Sequence, residues 1–112
     1  MKDDLFYIEY MLECIARIER YTRGGMEAFF SDSMIADAVI RNLQTLAESS
    51  QRTSPRLKES APEINWRQLA GFRNVVVHDY LGLELGAVWD VVATDLPVLR
   101  RQLERLRERL GS

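Results

Sequence analysis

This chain has very little cysteine, histidine or lysine. Cys14 is the sole cysteine, so no disulfide can form within the chain. One Cys and one His are also too few for a zinc site built from this chain alone. No apolar run approaches the ~18 residues needed to span a membrane. The N-terminal Lys2-Asp3-Asp4 lacks the apolar stretch of a secretion signal, so a cytoplasmic protein is expected. There is no internal repeat and no low-complexity segment. Excess charge is missing too: the formal net charge is −2, which excludes a polycation that coats nucleic acid indiscriminately. Any contact with RNA must come from a local patch. Of the 15 basic residues only Lys2 and Lys58 are lysine. The arginines suit bidentate phosphate contact, although a GC-rich genome gives the same bias.

At 112 residues the chain is long enough for one core, and a single domain over residues 1–112 is expected. Leu5, Ile8, Leu12, Ile15 and Ile18 recur at steps of three and four, which predicts an amphipathic helix from Leu5 to about Tyr21. Cys14 sits in this apolar stripe and reads as a core residue. Gly24-Gly25 ends the helix. A second helix starts near Ser31-Asp32, both suitable N-caps. It carries Ile35, Val39, Leu43 and Leu46 on one face and runs to about Gln51. Ser54-Pro55 and Ala61-Pro62 bracket a loop with room for a short helical turn.

A third helix begins at Asn65 or Trp66 and holds Leu69, Phe72, Val76 and Tyr80. The β-branched run Val75-Val76-Val77 favours a strand by itself. No partner strand is visible, and an isolated strand is unstable, so helix is expected there, with Gly82 as the exit. The last helix has a seam of Leu85, Val88, Val92, Leu96, Leu99, Leu103, Leu106 and Leu110. Pro97 must kink or restart it, with Thr94 or Asp95 as a new cap. The fold class is therefore all-α: a four-helix, up-and-down bundle with a kinked last helix. The seam's far end fits either a dimer contact or a helix covering its own core. Arg100, Arg101, Arg105, Arg107 and Arg109 share that tail with Glu104 and Glu108, the pattern of a solvated face or of a phosphate-contacting one.

The chemistry concentrates in Gly71-Phe72-Arg73-Asn74-Val75-Val76-Val77-His78-Asp79-Tyr80. Arg73 can hold a phosphate, His78 can move a proton near neutral pH, and the Tyr80 hydroxyl can accept a modifying group. On a regular helix Arg73 and Tyr80 share a face, about 10 Å apart along the axis, while His78 is rotated by roughly 140° from Arg73. One helix therefore does not gather all three into a compact site. Two copies around a two-fold axis could, as could unwinding near His78. Taken singly, each residue also has a plainer reading: a hydrogen-bonded histidine at a helix end, a half-buried tyrosine, a surface arginine in an ion pair.

The pattern Arg73-x4-His78-x-Tyr80 resembles the signature of the HEPN superfamily, most closely its HepT-like branch. Ile40-Arg41-Asn42-Leu43 with Glu48, the segment from Pro62 through Trp66 to Asn74, Val88-Trp89-Asp90 and Asp95-Leu96-Pro97 resemble the same family. The likeness spans about residues 3 to 108. It implies a HEPN-like dimeric bundle acting as a metal-independent endoribonuclease toxin at a dimer-interface cleft, with no cofactor. His78 would be the general acid/base and Arg73 the phosphate-stabilising residue, supported by Asn74, Glu48 and Arg41. Glu48 and Arg41 could equally pair with each other. A minimal (MntA-like) nucleotidyltransferase antitoxin would silence the toxin by AMPylation of Tyr80. The implied partners are thus RNA, a second copy, and the antitoxin, with room for a larger hetero-oligomer. Gly24-Gly25 and Gly82/Gly86 lack a phosphate-loop or dinucleotide pattern, which makes this chain the modified protein and not the transferase. The alternative is a non-enzymatic HEPN dimer that serves as a binding partner of a nucleotidyltransferase. A structural bundle without a site is a third.

Overall fold

The computed structural model describes residues 3–74 and 83–111. Every regular element among them is helical: α1 (Asp4–Tyr21), α2 (Gly25–Ser31), α3 (Ser33–Gln51), α4 (Pro55–Ser60), α5 (Trp66–Gly71) with a 3-10 turn at Phe72–Asn74, α6 (Leu83–Asp90), a π turn at Val91–Asp95, and α7 (Leu96–Gly111). The all-α expectation holds. No helix among the described residues is long and apolar enough to cross a membrane.

The two long N-terminal helices form where the apolar periodicity predicts them. The Asp3 carboxylate caps α1 by accepting from the Phe6 amide at 3.0 Å, and Asp32 caps α3 by accepting from the Met34 amide at 2.9 Å; each satisfies an amide that has no partner within the helix. The buried stripe of α1 (Ile8, Met11, Cys14, Ile15, Ile18) meets that of α3 (Val39, Leu43, Leu46, Ala47). Helix α7 closes the other side of α1 with Leu96, Leu99, Leu103 and Leu106. Leu110 is exposed, so the apolar seam covers its own core as far as Leu106. Two of the tail arginines take part in packing: Arg100 reaches Glu19 of α1 at 2.9 Å, and Arg109 donates to the Ser60 carbonyl at 3.4 Å. Cys14 is fully buried. That burial pushes its thiol from 9.0 up to about 11, a rise that nearby Arg17 opposes and Glu13 aids.

A second tie fixes the start of α1. Asp4 accepts from the Ser54 amide at 2.8 Å and from the Ser54 hydroxyl at 2.7 Å. The same hydroxyl oxygen accepts from the Leu57 amide at 3.1 Å and caps α4. One carboxylate therefore orients the cap of a helix fifty residues away.

Two expectations need correction. After α1 ends at Tyr21, Gly24-Gly25 does not simply lead to a helix at Ser31; it starts the additional helix α2. Gly25 takes φ +86°, where a side chain is strained, and a Cβ on Gly24 would lie 2.9 Å from that of Ala28. Helix α2 exists because it buries Phe29, whose ring centre sits 5.3 Å from that of Trp89. The second correction concerns Pro97. No new cap forms at Thr94 or Asp95: α6 runs through the π turn into α7, and Leu96 keeps helical angles (φ −64°, ψ −38°). Proline lacks an amide hydrogen and crowds the carbonyl four residues earlier; a wider turn just before it absorbs the misfit without ending the helix. The Asp95 carboxylate is used otherwise, accepting from the Gln68 side chain at 3.0 Å.

Candidate active site

Arg73 is presented by a short, well-anchored segment. The Asn65 side chain caps α5 by accepting from the Gln68 amide at 3.0 Å. Leu69 and Phe72 are buried, and both α5 and the 3-10 turn pack against α3. The Gln68–Asp95 bond ties α5 to the π turn. With Phe72 held inside, the tight turn leaves Arg73 and Asn74 exposed at the surface.

The arginine does not find an ion-pair partner among the described residues. Its Nη1 donates to Oε1 of Gln51, the last residue of α3, at 2.8 Å. Between this guanidinium and α3 lies a cleft of about 360 Å³ lined by Arg41, Gln44, Thr45, Glu48 and Arg73. Positions 41, 44, 45 and 48 are one polar edge of α3, since residues three, four and seven apart share a helix face. Gln51 continues that edge for one more turn. The lining carries two guanidinium groups against one carboxylate, so it is formally cationic. Arginine forks match phosphate oxygens geometrically, and such a polar cleft suits an anion better than an apolar ligand.

The expected site residues sort themselves accordingly. Arg41, Glu48 and Arg73 come together around one cleft. Among the described residues Arg41 and Glu48 make no ion pair with each other, so the simple-pair alternative is not what the side chains do. Asn74 lies next to Arg73 on the 3-10 turn but does not line the cleft. His78 and Tyr80 lie outside the described residues, as do Val75-Val76-Val77 and Gly82. Gln44, Thr45 and Gln51 were not singled out from sequence. Gln44 and Thr45 carried a signal: with Arg41 and Glu48 they repeat at helical spacing along the face opposite the apolar stripe.

The HepT-like ribonuclease family matches residues 11–106. The chain belongs to this family. Three relatives match it over more than nine-tenths of this chain. A Thermococcus cleftensis protein named "Probable ribonuclease HepT" is 36% identical over 103 residues, 91% of this chain and 94% of its own. A Methanocaldococcus jannaschii protein named as a "Gamma-glutamylcyclotransferase and putative RNase" is 33% identical over 110 residues, 97% of this chain; the chain spans 50% of that longer protein. A "Putative RNase" of Caldanaerobacter subterraneus is 26% identical over 97% of this chain and 98% of its own. No solved structure matches the chain. Membership in the HepT-like family makes this chain an endoribonuclease of the HEPN type, and the arginine-lined cleft is its candidate phosphate site.

Proposed function

We propose that the chain is a toxin-type, metal-independent endoribonuclease in which Arg73 and His78 carry the reaction. The observation that carries this reading is the placing of Arg73, at the head of the Arg73-x4-His78 motif, in a cleft with Arg41 and Glu48. His78 removes the proton of a ribose 2′-hydroxyl. The 2′-oxygen bonds to the adjacent phosphorus, the bond from phosphorus to the next nucleotide's 5′-oxygen breaks, and a protonated imidazole returns a proton to that leaving oxygen. The products carry a 2′,3′-cyclic phosphate and a 5′-hydroxyl. Arg73 stabilises the charge that develops on the phosphate oxygens. Gln51 fixes the guanidinium from behind; Arg41 adds a second positive charge; Asn74 supports the phosphate from the neighbouring position. In this reading two copies share the cleft, as the HEPN resemblance implies, and the enzyme acts on cytoplasmic RNA.

Control falls to Tyr80. A minimal nucleotidyltransferase antitoxin transfers AMP to its hydroxyl, and the added negative charge and bulk repel RNA phosphates and block their binding. The test is cleavage of RNA by purified protein in EDTA, wild type beside His78→Ala, with the intact mass of both recorded. Cleavage by wild type alone supports the catalytic reading. Inactive wild type of unmodified mass, across mRNA and tRNA, favours the non-enzymatic binding partner. Inactive wild type heavier by AMP units supports Tyr80 as the off switch.

A further inference from the structure

A second groove adjoins the arginine-lined cleft, and nothing in the catalytic reading uses it. It encloses about 510 Å³ between the first turns of α1 and the C-terminal half of α3, and it shares Thr45 and Glu48 with the cleft. From α1 it is lined by Phe6, Tyr7 and Tyr10, and from α3 by Ser49 and Arg52. Because α1 and α3 pack along each other through their buried stripes, their outer edges form the two banks of a valley. Phe6 and Tyr10 are 40% and 36% exposed. They lie nearly parallel, ring centres 6.4 Å apart with 24° between planes, and Tyr7 stands edge-on to Phe6 at 5.3 Å. The Arg17 guanidinium, ion-paired with Glu13 at 3.5 Å, lies 6.0 Å from the centre of the Tyr10 ring and flanks it.

We infer that this groove is a nucleobase subsite, which stacks a base flanking the phosphate held at Arg73. Exposed aromatic rings beside arginines are the means by which proteins hold unpaired bases while their cations follow the backbone. Continuity decides the class of ligand: a strand whose phosphate sits between Arg73 and Arg41 has its neighbouring nucleotide at the junction formed by Thr45 and Glu48. The Thr45 hydroxyl and Glu48 carboxylate there can meet base or ribose hydrogen-bonding groups, and Arg52 faces the next phosphate. The substrate is accordingly single-stranded at the cut, since a base within a duplex cannot reach the rings. The inference rests on the ribonuclease reading, and it locates the substrate on the protein.

The test couples protein and RNA changes. Wild type, Tyr10→Ala, Phe6→Ala and the conservative Tyr10→Phe are given a single-stranded RNA with one defined cut, intact or abasic at either position flanking it. Wild type should lose roughly tenfold in kcat/KM when the stacked base is removed. Tyr10→Ala and Phe6→Ala should show the loss already with intact RNA and little further loss with the abasic one; Tyr10→Phe should behave as wild type. Equal discrimination by the alanine variants and wild type overturns the subsite. So does a change in their oligomeric state by light scattering, which would make the rings a contact between copies. No cleavage by wild type of unmodified mass overturns the ribonuclease reading instead; fluorescence anisotropy with the same RNAs then judges the groove alone, and equal affinity for all four proteins overturns it.

Discussion

Gln51 offers the sharpest handle on the cleft, because its amide oxygen is the recorded partner of Arg73 at 2.8 Å. Both side chains are exposed, so the bond lies at the weak end of the range for a charged donor, about 1 kcal/mol. Removing it in Gln51→Ala frees the guanidinium to sample other rotamers, and kcat/KM for RNA should fall about fivefold. Gln51→Glu should cost more, about tenfold or greater, for two reasons. The new carboxylate forms an ion pair that phosphate must displace, and with Glu48 it cancels the cleft's two guanidinium charges. Screening weakens exposed ion pairs, so the Gln51→Glu deficit relative to wild type should shrink as salt rises, while the Gln51→Ala deficit should not. Neither variant should move the melting temperature appreciably, as the site is solvated. The assay is cleavage of a fluorogenic RNA across a salt series. Wild-type activity in Gln51→Glu at low salt would refute the placing of phosphate at Arg73.

Other consequences follow from the packing. Asp4→Ala removes two short bonds to Ser54, both partly buried; it should cost about 2 kcal/mol and lower the melting temperature by about 8 °C, and a calorimetric scan with no drop would contradict the tie. The Cys14 thiol, held protonated by burial up to about pH 11, should resist alkylation of the native protein at pH 8 and react at once in denaturant. The unfolded thiol ionises more readily than the folded one, so this contribution to stability is complete below about pH 9 and is lost as pH rises towards about 11; denaturant midpoints of wild type and Cys14→Ala should converge differently across that window. Leu43→Ala, at the fully buried contact between α1 and α3, should cost about 2–5 kcal/mol, readable as a loss of denaturant midpoint with unchanged slope.

The sequence disclosed α1 and α3 because each buries a continuous stripe, and a three-four apolar rhythm records which residues do so. Asp32 was legible as a cap because its side chain acts within two residues of itself. Helix α2 was hidden for the opposite reason. A glycine pair reads as an end, and what stabilises the seven-residue helix that begins at its second glycine is Phe29 against Trp89, sixty positions away. The π turn before Pro97 was hidden too: local rules say that proline disturbs a helix, but the choice between a restart and a widened turn depends on what else engages Asp95. The site was half legible. Arg41 and Glu48 stood out through the second-helix pattern of the family resemblance, and the fold sets both beside Arg73. Gln51 did not, because a neutral amide at a helix end carries no sign of the arginine twenty-two residues on.

The most direct test of the central claim is the chemistry of the cut ends. RNA treated with the purified protein in EDTA, and with Arg73→Ala and His78→Ala in parallel, should yield 2′,3′-cyclic phosphate and 5′-hydroxyl termini by mass spectrometry for wild type alone. Termini with a 3′-hydroxyl and 5′-phosphate, or equal cleavage by either variant, would contradict the account.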